Sequence, residues 1–114
     1  MSIIDRAKEH MEDQGISKIE VPEWGEKDKP LIIFYRPLTV ADKRKLAKFA
    51  IRSDPIVFVE TLILKALDSQ GKNMFTIEDK RALRLEVDGE VVERIAKQIV
   101  GEDMDGDIED IEKN

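Results

Sequence analysis

The run Asp68-Ser69-Gln70-Gly71-Lys72-Asn73-Met74-Phe75-Thr76-Ile77-Glu78-Asp79 has the outline of a calcium loop, with a carboxylate at each end and a glycine between them. Such a loop needs oxygen ligands at alternate positions, a glycine midway and a closing bidentate Glu. Here Lys72 occupies a ligand position, Gly71 comes two residues early and the closing residue is Asp79. An ammonium where a ligand oxygen belongs repels the ion. The run reads better as a helix–loop–helix connection. Gly71 ends one helix, Phe75 enters the core, and Thr76 caps the next helix with Asp79.

Other catalytic equipment is sparse. His10 is the only histidine and there is no cysteine, so thiolate chemistry, disulfides and a histidine metal pair are excluded. No glycine-rich phosphate loop and no nucleophile elbow is present. With 25 acids in 114 residues, neighbouring carboxylates arise by chance and do not mark an acid–base dyad. Asp103-Met104-Asp105-Gly106-Asp107 could hold a hard cation only if a scaffold stood behind it. The expectation is a protein that is not an enzyme and carries no cofactor or metal.

Charge is concentrated at one end. The tail holds seven acids (Glu102, Asp103, Asp105, Asp107, Glu109, Asp110 and Glu112) against Lys113, so the whole net charge of −6 sits there and the rest is neutral. That distribution argues against nucleic acid as a partner, because phosphate binding needs a basic surface. Composition divides the chain into one domain, residues 1–101, and an acidic tail, 102–114, expected to be disordered. No basic-then-apolar leader opens the chain. The longest apolar stretch, residues 56–67, would span only about 18 Å as a helix, too short for a bilayer. These features lead to the expectation of a soluble cytoplasmic protein with no membrane partner.

Periodicity predicts the elements that would position any site. Residues 2–14 read as a helix, with Ser2 and Asp5 as a capping box and Ile3, Ile4, Ala7 and Met11 along one side. Residues 17–21 alternate as a half-buried strand that Pro22 ends, and residues 31–36 form a second strand closed by Pro37. The two pair most simply as an antiparallel hairpin, with Trp24 in the connecting turn. Thr39 and Asp42 open a helix to about residue 52. Asp54-Pro55 opens another, to about residue 69, which is apolar nearly all round and so buried. A short helix, 76–85, precedes a last one, 89–100, whose Val91, Val92, Ile95, Ala96 and Ile99 share a face. The class is α+β, mostly α: an N-terminal helix and a β-hairpin followed by a four-helix C-terminal region.

Two features point to partners. The strand Leu31-Ile32-Ile33-Phe34-Tyr35 is apolar on both faces, so one face leans on the helices and the other needs a cover. That cover is either the N-terminal helix or another protein. Trp24 is either a plug for the open end of the hairpin or an exposed anchor. A third feature is a basic strip, Lys43, Arg44, Lys45, Lys48 and Arg52, on the helix that follows Thr39. It is either a solvated face or a site of attraction for the acidic tail. Candidate partner-binding residues are therefore Trp24, Leu31, Ile32, Phe34, Tyr35, Arg36, Lys43 and Lys45.

The phrases Val21-Pro22-Glu23-Trp24-Gly25, Tyr35-Arg36-Pro37-Leu38-Thr39 and Asp68-x-x-Gly71-Lys72-x-Met74-Phe75-Thr76-x-x-Asp79, with an amphipathic closing helix ending at Gly101, occur here in a fixed order. In that order and spacing, over about residues 16–101, the chain resembles the tail assembly chaperones of long-tailed bacteriophages. The resemblance implies a non-enzymatic assembly factor, made in the cytoplasm of the bacterial host from a phage or prophage and absent from the finished virion. It would coat the tape measure protein, keep it soluble and help bring tail tube protein to it, with self-association possible. In many such phages a ribosomal frameshift near the end of the short chaperone's gene adds an extension that recruits the tube protein. Glu112-Lys113-Asn114 is compatible with a slippery sequence of that kind. The competing reading is a regulatory protein-binding module whose acidic tail masks a basic partner or mimics nucleic acid.

Overall fold

The computed structural model describes the backbone of residues 2–50 and 54–113, and the side chains of residues 2–49 and 54–101. The architecture is α+β and mostly α, with one antiparallel hairpin and a helical C-terminal region. Helix α1 (Ile3–Gln14) begins at Ser2, whose Oγ accepts from the Asp5 N–H at 3.2 Å while the Asp5 carboxylate faces the Ser2 N–H and hydroxyl. This is the capping box the spacing predicts.

Strand β1 (Ser17–Glu26) pairs with β2 (Lys29–Tyr35) in the register Ser17↔Tyr35 through Val21↔Leu31. Alternation turns Ile19, Val21 and Ile33 into the core, where Val21 and Ile33 are fully buried. The predicted end of the ladder at Pro22 marks a real break, but the strand continues. Pairing resumes at Glu26↔Lys29, so Pro22, Glu23, Trp24 and Gly25 bulge opposite Pro30. Pro22 has no N–H to give the ladder, which disrupts regular pairing there. Trp24 thus rides on a bulge rather than in the turn, and Asp28 (φ 66°) makes the tight reversal.

Helix α2 (Val40–Ala50) starts from Thr39, whose N–H donates to the Asp42 carboxylate at 2.9 Å and whose Oγ1 accepts from the Asp42 N–H at 3.1 Å. Helix α3 (Ile56–Lys65) is the central rod, with Val57, Val59, Thr61 and Leu62 buried. Thr61 is the buried polar residue in that set, and its hydroxyl donates to the Val57 carbonyl at 2.6 Å. Predicted to run to about residue 69, α3 instead stops at Lys65. Ala66 turns extended (φ −70°, ψ 124°), and Leu67 exchanges both backbone hydrogen bonds with Phe34 at 2.8 and 2.9 Å. The free edge of β2 supplies partners that a further helical turn would have to forgo. Gly71 (φ 80°) consequently sits in a tight turn closed by its N–H on the Asp68 carbonyl, not at a helix end.

A 3-10 turn, Ile77–Asp79, leads into α4 (Lys80–Leu85), and Thr76 and Asp79 form the expected capping box. Helix α5 (Gly89–Lys113) buries the predicted face, Val91, Val92, Ile95, Ala96 and Ile99, against α3 and the hairpin. Its run is broken at Gly101 (φ 75°, ψ −178°). Beyond that break only the backbone helix is described. The tail expected to be disordered, with the run 103–107 expected to hold no metal, lies there, and its side chains are not described; Arg52 lies outside the described residues.

One core joins β1, β2, α3, α4 and α5. A smaller cluster, Leu46 and Val57 with Leu38, Phe49, Phe58, Leu64 and Val100 around them, seats α2 on α3. The Lys65–Asp42 pair, 2.9 Å apart and mostly shielded, locks that seat. Burial works against the Asp42 charge, but the Thr39 N–H and the Lys65 ammonium outweigh it and hold the carboxyl below its usual range. No helix among the described residues is long and apolar enough to cross a membrane.

Candidate partner-binding surface

The bulge on β1 brings Trp24 against Phe75, the residue predicted to drop from the connecting loop into the core. Their ring centroids lie 6.2 Å apart with the planes at 78°, an edge-to-face pair. Together with Leu31, Met74, Leu83 and Val87 they line a cleft of about 360 Å³ that is almost wholly apolar. Phe75 is half-buried, so it closes the core on one side and walls the cleft on the other. Trp24 is neither a buried plug nor a free anchor. It is half-buried, and its remaining face is open to solvent.

The loop that delivers Met74 and Phe75 is held by its own carboxylates. Asp68 Oδ1 accepts the Gln70 and Lys72 N–H groups at 2.8 and 3.0 Å, and Asp79 Oδ2 accepts the Thr76 N–H at 2.8 Å. The Met74 N–H bonds to the Ala66 carbonyl at 2.9 Å. The two acids that outline a calcium loop therefore shape backbone. Among the described residues, no group of three or more His, Cys, Asp or Glu is placed to hold a metal.

On the opposite side of the bulge, Glu23 receives two hydrogen bonds from Arg94 of α5, at 2.6 and 2.9 Å. The fork holds the Glu23 carboxyl down at about 2, mainly through the Arg94 hydrogen bonds. Sequence reasoning passed over this pair, since nothing in the spacing of Glu23 and Arg94 relates them. Its structural effect is to pin the bulge, and with it Trp24, to α5.

The remaining candidates fall on separate surfaces. Leu31 and Tyr35 share the core-facing side of β2 with Ile33 and pack partly against the core, Leu31 also reaching the cleft. Ile32 and Phe34 face the other way, opposite Glu20 and Lys18, and are half-buried. The Lys18 ammonium sits 5.9 Å from the Phe34 ring centre, so its stem screens part of that ring. The N-terminal helix, one of the two expected covers for this face, is itself poorly buried. None of its residues is buried, and Ile3 and Ile4 remain 72% and 62% exposed. Arg36, Lys43 and Lys45 are exposed, the lysines on α2 and away from the Trp24 cleft. In comparisons with known proteins, no family model, curated protein or solved structure matches the chain.

Proposed function

We propose that this chain is a non-enzymatic phage tail assembly chaperone. It binds the tape measure protein, keeps that long helical client soluble in the host cytoplasm and helps recruit tail tube protein, through a longer frameshifted form where one is made. It transforms no substrate and leaves the tail before the virion is complete. One observation carries the reading. Trp24 of one resemblance phrase and Met74 and Phe75 of another, far apart in the chain, wall a single apolar cleft. An open cleft of about 360 Å³ with an aromatic pair in its wall suits a large apolar side chain projecting from a client helix.

Co-expression with a tape measure segment tests both the role and the site. The wild-type chain should carry the segment into the soluble fraction, and a Trp24→Ala/Phe75→Ala chain that keeps its helical circular dichroism should not. Equal rescue by the double variant would remove the cleft as the site. Absence of rescue by the wild-type chain would overturn the chaperone reading itself.

A further inference from the structure

A second groove, of about 560 Å³, runs between α2 and α3. Phe49, Ile63 and Leu64 give it an apolar lining, Ile77 forms a lip that is 75% exposed, and Lys45 and Lys48 stand at its rim. Glu60, which also faces the groove, is already engaged by Lys80. Lys43, Arg44, Lys45 and Lys48 are exposed, and none has a carboxylate partner among the described residues. The groove therefore combines wet apolar surface with unneutralised positive charge, the two properties that an acidic amphipathic helix complements.

We propose that the occupant is this chain's own C-terminal segment, residues 102–113, docked in cis as an amphipathic helix. Three observations favour it over a foreign helix. Val100, just before the break at Gly101, packs on the Leu46–Val57 cluster together with Phe49 and Leu64, so the chain enters the segment beside the groove. Met104, Ile108 and Ile111 recur at the spacing of one helical face, with acids on the others. The segment holds the entire net charge of −6, set against cations of α2 that have no carboxylate partner among the described residues, although Lys48 also lies 5.0 Å from the Phe49 ring centre. As a helix it is about 18 Å long, close to the roughly 16 Å of α2. The inference is independent of which client fills the Trp24 cleft.

Zero-length carbodiimide cross-linking of the full chain, read by mass spectrometry on an equal mixture of unlabelled and nitrogen-15-labelled protein, tests it. The expected products join Lys45 or Lys48 to acids 107–112 within one copy, so each cross-linked peptide pair is all light or all heavy. Their yield should fall about tenfold when salt rises from about 0.1 M to about 1 M, where the Debye length shrinks from roughly 10 Å to roughly 3 Å. Ile108→Asp/Ile111→Asp should lower the yield similarly at low salt while circular dichroism stays unchanged. Absence of these cross-links overturns the proposal. So does a population made only of mixed light–heavy pairs, which would place the tail on a second copy.

Discussion

The rings of Trp24 and Phe75 meet edge to face, with centroids 6.2 Å apart and planes at 78°. One ring sits on a strand bulge, the other at the end of a loop held by Asp68 and Asp79. Each is tied to a neighbour: Glu23, beside Trp24, bonds to Arg94, and Met74, beside Phe75, bonds to Ala66. If the cleft binds a client as proposed, a wall held by such contacts reduces the ordering cost of association.

Trp24→Ala removes the aromatic pair and part of the apolar cover of Phe75, and should destabilise the fold by about 1.5–3 kcal/mol. Trp24→Phe keeps a ring at the site and should cost less than half of that. Urea unfolding followed by circular dichroism makes the comparison. Because Trp24 is the only tryptophan, its emission in the wild-type chain reports the cleft directly and should shift to the blue if a tape measure segment fills it as proposed.

The Glu23–Arg94 fork makes a pH-dependent contribution of known sign. The folded carboxyl titrates at about 2, below its ordinary 4.5, so between these values the unfolded chain takes up a proton that the folded chain refuses. The contribution is thus full above the ordinary value, declines as pH falls and is lost once Glu23 protonates in the fold. Both side chains are over 40% exposed, so solvent screening keeps the effect small. The difference in unfolding midpoint between wild type and Glu23→Gln should be constant above pH 4.5 and close toward pH 2. A gap that stays constant over that range would refute the assignment.

Gly25 and Gly71 make opposite demands. A Cβ on Gly25 would collide with the Lys29 carbonyl and lie 2.7 Å from both the Leu31 nitrogen and the Pro30 Cα, all backbone atoms that cannot step aside. Gly71 has open space around it but a φ of +80°. Gly71→Ala should cost about 1–2 kcal/mol, the ordinary penalty for an L-residue in that region. Gly25→Ala should cost about 3 kcal/mol or more and displace Trp24 as the bulge opens. Paired urea titrations check the order, and equal costs would show that the bulge yields.

Much of the architecture was legible from local chemistry. Ser2 with Asp5, Thr39 with Asp42 and Thr76 with Asp79 announce helix starts because a cap is satisfied within four residues of chain. The buried face of α5 and the paired strands follow from periodicity for the same reason. The end of α3 was not legible, because Leu67 chooses between continuing a helix and pairing with Phe34, and that choice depends on where β2 lies.

Residue order alone determined the α+β class, the neutral body with an acidic end and the pairing of the two strands, since each depends on neighbours in sequence. Only the folded chain decided that Trp24 meets Phe75, that Arg94 reaches Glu23 and that no residue of α1 is buried. These are contacts between distant segments, and a side chain's own type carries no record of which partner the packing will bring to it.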